Sequence, residues 1–271
     1  MKILFSIAGF DIYFFGLMTG LGVLAAYWLV QREAGRRDLD AEKVTTVGLY
    51  TVLGGIVGAR LAFILFYSPG YYLANPLEVF AVHHGGLSIH GGLLGGLLVG
   101  GLLVRKHKLP FWRLADIFAP ALILAQAVGR IGCDVFGRPT SVPWAMPFGG
   151  QLLHPVQIYE FLLNMALFAW LWRRRNSTQL QGQLFLEYFA GFMIIRGIVE
   201  LFRVNPTVFG FLSVSHLLSI VGLLAVAAVH FLLPRPANLP RSGNGDKLIW
   251  WGWLALLVSG PVIYYLVHLV L

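Results

Sequence analysis

Long apolar runs alternate with short polar, mostly basic loops along this chain. Stretches near residues 10–31, 45–67, 86–104, 111–133, 154–172, 183–203, 211–233 and 248–270 are each predominantly apolar. Each is close to the ~20 residues that a helix needs to cross a bilayer core. The pattern predicts eight spanning helices. The third stretch is unusual, because Gly85, Gly86, Gly91, Gly92, Gly95, Gly96, Gly100 and Gly101 fall in or just before it. It is expected to be broken or partly re-entrant, a state that survives at membrane depth only where other helices bury the backbone or it lines a cavity. Tyr71, Tyr72, Trp250, Trp251 and Trp253 are placed to form interfacial aromatic belts.

The loops orient these spans. Arg32, Arg36, Arg37 and Lys43 follow the first span, and Arg105, Lys106, Lys108 and Arg113 follow the third. Arg173, Arg174 and Arg175 follow the fifth, and Arg235, Arg241 and Lys247 follow the seventh, while the intervening loops carry Lys2, Arg138 and Arg203. Lys/Arg-rich loops stay in the cytoplasm, so the N-terminus is expected outside. Residues 234–247, with Pro234, Pro236, Pro240, Gly243 and Gly245, read as a cytoplasmic linker. It divides a membrane domain over 1–233 from an additional transmembrane helix over 248–271. Lys2 precedes an apolar run that Asp11 interrupts, with no small-residue cleavage site, so this segment reads as retained.

Composition strengthens the picture. Of 271 residues, 58% are hydrophobic and 12% charged, against roughly 45–50% and 25% for an ordinary soluble domain. The fold class is therefore all-α, a polytopic helical membrane protein. The net charge of +8 is spread over separate short loops, which argues against a nucleic-acid partner. A single cysteine, Cys133, excludes an intramolecular disulfide.

With the loop charges set aside, Arg60, Arg130 and Arg196 remain within or near the ends of apolar segments. An ionised side chain at the bilayer centre costs at least ~2.5–3.5 kcal/mol on insertion scales, so such residues face a polar interior and mark a site. Asp116, Gln126, His154, Gln157, Glu160 and Glu200 lie in the neighbouring segments. Arg196 and Glu200 are four apart and share a helix face, either neutralising one another or serving a ligand. Arg60 is equally open to a packing role. Arg130 sits between Gly129 and Gly132, where backbone can approach a ligand closely. A guanidinium fork donates two hydrogen bonds to a phosphate at once. Several arginines around a membrane cavity thus point to a phospholipid head group. His90, flanked by glycine pairs, is a candidate general base or a packing residue. His83 and His84 are placed at the interface, and no carboxylate or cysteine completes a metal-ligand set with the three histidines.

Ordered landmarks in the chain resemble the prolipoprotein diacylglyceryl transferase family. They are Phe15-Gly16-Leu17-Met18, then Gly58-Ala59-Arg60 followed by Phe66-Tyr67. The block Gly85-Gly86-Leu87-Ser88-Ile89-His90-Gly91-Gly92 comes next, and Asp116-Ile117-Phe118-Ala119-Pro120 leads to Gly129-Arg130-Ile131-Gly132. His154-Pro155-Val156-Gln157-Ile158-Tyr159-Glu160 and the late Arg196, Glu200, Phe202-Arg203 complete the series. The resemblance implies a seven-span core in the bacterial cytoplasmic (inner) membrane, to which the last helix is an addition. It also implies transfer of a diacylglyceryl group from phosphatidylglycerol to the lipobox cysteine of a prolipoprotein, with glycerol phosphate leaving. The catalytic residues would be His90, Arg130 and Arg196. The binding residues would be Arg60, Gly91, Asp134, Gly137, Gln157, Tyr159, Glu160 and Glu200. No metal or organic cofactor is implied.

The departures are specific. The family signature continues from Gly-Arg-x-Gly into Asn and then a stretch with Asn and Glu, whereas Cys133 and Asp134 follow here, with Gly137-Arg138 the next landmark. Phe15 and Phe192 stand where tyrosines are expected. Cys133, beside an arginine that favours a thiolate, is either a nucleophile or a small packing residue. Two alternatives stay open: a paralogue that moves a phospholipid-derived group to another acceptor, and a non-catalytic phospholipid-binding or transporting protein. A transporter would more naturally show repeated halves with paired broken helices.

Overall fold

Each of the eight apolar runs becomes a helix in the computed structural model, which describes residues 2–7, 10–67, 69–80, 85–178, 180–210, 212–233 and 247–270. They are α1 (Phe14–Arg36), α2 (Ala41–Tyr67), α4 (Ile89–Lys106), α5 (Phe111–Ile131), α6 (Val156–Arg174), α7 (Gln183–Glu200), α8 (Val214–His230) and α9 (Lys247–Val270), with a short α3 (Pro69–Ala74) after α2. Four of them, α1, α2, α5 and α9, are long and apolar enough by themselves to cross a membrane. The protein is all-α and polytopic. His83, His84 and the linker up to residue 246 fall outside the described residues.

Three two-stranded hairpins lie between or before the helices: β1 (Ile3–Ile7) with β2 (Phe10–Tyr13), β3 (Met146–Phe148) with β4 (Gln151–Leu153), and β5 (Thr207–Phe209) with β6 (Leu212–Ser213). Hydropathy does not foretell them, since strands this short carry too few alternations to register. The β3–β4 turn is Gly149-Gly150 at φ 59° and 78°. Two successive positive φ values are what a two-residue type I′ hairpin requires.

The chain divides into two units, one of Val30–Leu114 and one of Met1–Leu29 with Ala115–Leu271. In the first, α2 is capped by Asp40, whose Oδ1 accepts from Lys43 N at 3.1 Å while Oδ2 meets Lys43 Nζ at 2.9 Å. The side-chain hydrogen bond from Lys43 holds this exposed carboxyl below its ordinary range. The glycine run behaves differently from expectation. From Ile89 to Lys106 it is one continuous helix, and only the backbone before it, residues 85–88, is irregular. A Cβ on Gly91 would strike Ala62 and the Gly58 carbonyl, and one on Gly95 would strike Gly54 and Gly58 of α2. Leu93, Leu94, Leu97 and Leu98 are exposed on α4. Glycine loses about 1 kcal/mol to alanine in an aqueous helix, but in lipid the backbone has no alternative hydrogen-bond partner. There the missing side chains permit close helix approach instead.

In the second unit, Asp116 of α5 is 1% exposed and accepts hydrogen bonds from Gly182 N at 2.8 Å and Phe185 N at 3.0 Å. Its carboxylate satisfies the orphan donors at the start of α7, where the helix dipole also favours an anion. Val156 of α6 forms an apolar seam with Ile195 and Val199 of α7, flanked by Tyr159, Leu163 and Phe202. The last helix docks on α6, where Trp253 Nε1 donates to the Met165 carbonyl at 2.9 Å. A Cβ on Gly260 would lie 2.6 Å from the Phe161 ring. Lys2 Nζ donates to the carbonyls of Val267 at 3.1 Å and His268 at 3.0 Å.

Candidate active site

Three consecutive helices of the larger unit bring the polar residues together. Arg130 is one residue from the end of α5, Glu160 lies in the second turn of α6, and Arg196 is one turn from the end of α7. Arg130 Nη2 meets Glu160 Oε1 at 2.8 Å, and Arg196 Nη1 lies 3.7 Å from Glu160 Oε2. One carboxylate, 3% exposed, thus sits between two guanidiniums that are 27% and 20% exposed. A buried carboxylate unpaired would cost several kcal/mol, and each arginine would repel the other without it.

The second carboxylate supports Arg196 from the opposite side. Glu200 Oε2 lies 3.4 Å from Arg196 Nη2 and 3.8 Å from Arg203 Nε. Its Oε1 accepts from Ser213 Oγ at 2.6 Å and Asn205 Nδ2 at 2.7 Å. Arg196 Nη2 also donates to Ser215 Oγ at 3.3 Å. The i, i+4 pair read from sequence is therefore real, but Glu200 is held by groups beyond its own helix. A cavity of about 90 Å³ adjoins it, lined in part by Arg138, Arg203, Asn205, Ser213 and His216.

The signature turn after α5 is anchored on both flanks. Arg130 Nη1 reaches Cys133 Sγ at 3.5 Å, and Gln157 Nε2 donates to the Cys133 carbonyl at 3.1 Å. Asp134 Oδ1 lies 2.8 Å from His268 Nε2 on α9. Gly137 N donates to the His154 carbonyl at 2.9 Å, and Arg138 N donates to the Phe202 carbonyl at 2.8 Å. A Cβ on Gly137 would collide with the Phe202 carbonyl and approach Val156 and His154. Only glycine fits this close crossing of chain segments. The Tyr159 hydroxyl accepts from Trp144 Nε1 at 2.8 Å and lies 2.9 Å from His154 Nδ1.

The profile of the prolipoprotein diacylglyceryl transferase family matches residues 2–232. The chain belongs to that family. A phosphatidylglycerol–prolipoprotein diacylglyceryl transferase of Bordetella parapertussis is 37% identical to it over 248 residues, covering 84% of this chain and 93% of that protein. One of Geobacter sulfurreducens is 39% identical over 221 residues, covering 78% and 85%. One of Bacillus cereus is 30% identical over 262 residues, covering 91% and 94%.

Of the remaining diacylglyceryl transferase landmarks, Phe15-Gly16-Leu17-Met18 opens α1 in the larger unit, and the others belong to the smaller unit. Arg60 of α2 is 5% exposed and donates through Nε to Val79 O at 3.1 Å, through Nη1 to Gly85 O at 2.6 Å and Gly86 O at 3.1 Å, and through Nη2 to Glu78 O at 2.5 Å. All three nitrogens bind main-chain carbonyls, so Arg60 organises the irregular backbone leading into α4. Gly86, at φ 76°, leaves room for that guanidinium, since a Cβ there would lie 2.8 Å from Arg60 Nη1. His90 is exposed in the first turn of α4, and Gly91 is buried beside it against α2. Sequence reasoning did not single out Ser213, Asn205 or His268. Ser213 proves to be the N-cap of α8 with His216 three residues on in a capping box, where the usual sequence signature has Glu or Gln.

Proposed function

We propose that this chain transfers the diacylglyceryl group of phosphatidylglycerol to the lipobox cysteine thiol of a prolipoprotein in the bacterial cytoplasmic membrane. The observation that carries this reading is the pair of arginines from α5 and α7 held over one buried carboxylate, Glu160. Three guanidiniums, those of Arg130, Arg196 and Arg203, face the two carboxylates Glu160 and Glu200. The cluster therefore keeps a net positive charge for an anionic ligand. Arg130 and Arg196 are also the partly exposed members of their ion pairs, so their free donors are presented while the acids stay buried. Family membership and the names of the relatives support the same substrates.

In this reaction the bond between the diacylglyceryl carbon and the phosphate oxygen breaks, and a sulfur–carbon bond forms. The departing glycerol phosphate takes the electron pair, and the thiol loses its proton. Arg130 and Arg196 hold the phosphate and stabilise the charge that develops on the leaving oxygen. Glu160 fixes both guanidiniums, Glu200 orients Arg196, and Gln157 holds the turn that carries Cys133. The thiol's proton needs a base, because a thiolate is the competent nucleophile, and His90 is the candidate that the sequence pattern alone offers. The positive-inside pattern supports an N-terminus outside the cytoplasm.

Complementation tests the reading. Cells depleted of their own transferase should grow when this chain is expressed and should not when it carries Arg130→Ala. Purified protein given phosphatidylglycerol and a lipobox peptide should release glycerol phosphate in step with peptide modification. A well-expressed chain that neither rescues growth nor modifies the peptide would overturn the proposal.

A further inference from the structure

Helix α9 lies beyond residues 2–232, to which the family's profile is matched, yet its side chains reach the signature turn. His268 Nε2 is 2.8 Å from Asp134 Oδ1, with the histidine side chain 2% exposed. Its Nδ1 is 2.9 Å from the Tyr264 carbonyl. A carbonyl can only accept, so Nδ1 carries a proton. One further proton then lies between Nε2 and the carboxylate, and whichever atom holds it, the Asp134–His268 pair is neutral overall. The imidazole is fixed by Tyr264 at 4.2 Å between ring centroids and by edge contacts with Phe14 at 6.0 Å and Phe136 at 6.3 Å. The neighbouring Lys2 is bound to the main chain of the same helical turn. A second bridge runs alongside. Tyr265 Oη donates to the Trp144 carbonyl at 2.6 Å, and Trp144 Nε1 donates to the Tyr159 hydroxyl.

We infer that His268 is a positioning residue of the active site, holding Asp134 away from the arginines and cancelling its charge. Asp134 is four residues from Arg130 and follows Cys133, which Arg130 contacts. Without the proton it shares with His268, it would oppose the net positive charge that the cluster keeps for a phosphate. It would also compete with Glu160 for Arg130. The helix is thus a working part of the catalytic unit. This inference rests on the reading of the cluster as a phospholipid-phosphate site.

The test is a charge rescue in the full-length protein, comparing His268→Ala, Asp134→Asn and the double substitution. With phosphatidylglycerol and a lipobox peptide, His268→Ala should lower kcat/KM on the order of tenfold or more, since it takes a buried partner away from the Asp134 carboxylate. Adding Asp134→Asn should restore most of the loss, because an amide needs no neutralising partner. His268→Gln, which keeps a donor but no charge, should fall between and serves if the alanine variant folds poorly. Affinity for phosphatidylglycerol, followed by intrinsic tryptophan fluorescence, should rank the variants in the same order. Wild-type rates for His268→Ala, or a loss that Asp134→Asn leaves unchanged, would overturn the inference. If the unsubstituted chain releases no glycerol phosphate, the transferase reading fails by itself, and the binding series still decides the role of His268.

Discussion

Glu160 is the residue through which Arg130 and Arg196 are tied together. Glu160→Gln removes the charge both guanidiniums share and should lower kcat/KM on the order of 100-fold, because breaking a buried ion pair costs about 3–5 kcal/mol and about 1.4 kcal/mol is tenfold in rate. Thermal melting of the same variant checks that the fold persists. Arg130→Lys keeps a positive charge but loses the planar fork. Its turnover should fall at least about tenfold, with the larger effect on kcat if the second hydrogen bond forms only as the phosphate leaves. Arg130, Arg196 and Glu200 could be picked out from sequence, as ionisable groups in apolar runs have few other reasons to exist. The bridge through Glu160 could not, since it joins helices whose contributing residues are some thirty positions apart. Arg60 shows a second limit: its hydrogen bonds to the carbonyls of Glu78, Val79, Gly85 and Gly86 join segments that no sequence pattern links.

At the scale of elements, the α2–α4 contact depends on glycines that could not be replaced by any larger residue. Gly91→Leu would drive a side chain into Ala62 and the Gly58 backbone, and is expected to abolish stable membrane expression. Gly101→Leu, on the same helix with nothing within 4 Å of a Cβ there, should leave expression unchanged or improve it. Fluorescence-detected size exclusion of the two variants separates these outcomes. Asp116→Ala should lower stability by about 2 kcal/mol, the upper range for a helix cap, read as a fall in melting temperature without loss of the phospholipid affinity of the surviving fraction. Helix positions were legible because an apolar run of this length has one solution in lipid. The state of the glycine run was not, because glycine count alone does not distinguish a break from a close helix contact.

For the molecule as a whole, the reading of all eight long helices as membrane spans places residue 271 on the side of the membrane where residue 2 lies. A periplasmic-type reporter, alkaline phosphatase, fused after residue 271 should be active, and a fluorescent protein fused there should stay dark. The reverse pattern would mean that one helix does not span. The extra C-terminal helix could be read from hydropathy alone. Its chemical role could not, because the Asp134 and His268 positions it joins are 134 residues apart, and no periodicity links them.

The lysine at position 2 adds a consequence for biogenesis. Its ammonium binds carbonyls 265 and 266 positions further along, so it leaves the ribosome long before its partners do. Through the whole of synthesis and insertion those donors must be satisfied elsewhere. The hairpin that follows Lys2 and the turn around His268 therefore lock in a single late event. Assembly of this part of the fold waits in this way for α9, and a product truncated before α9 would lack both the Lys2 seal and the contact of His268 with Asp134.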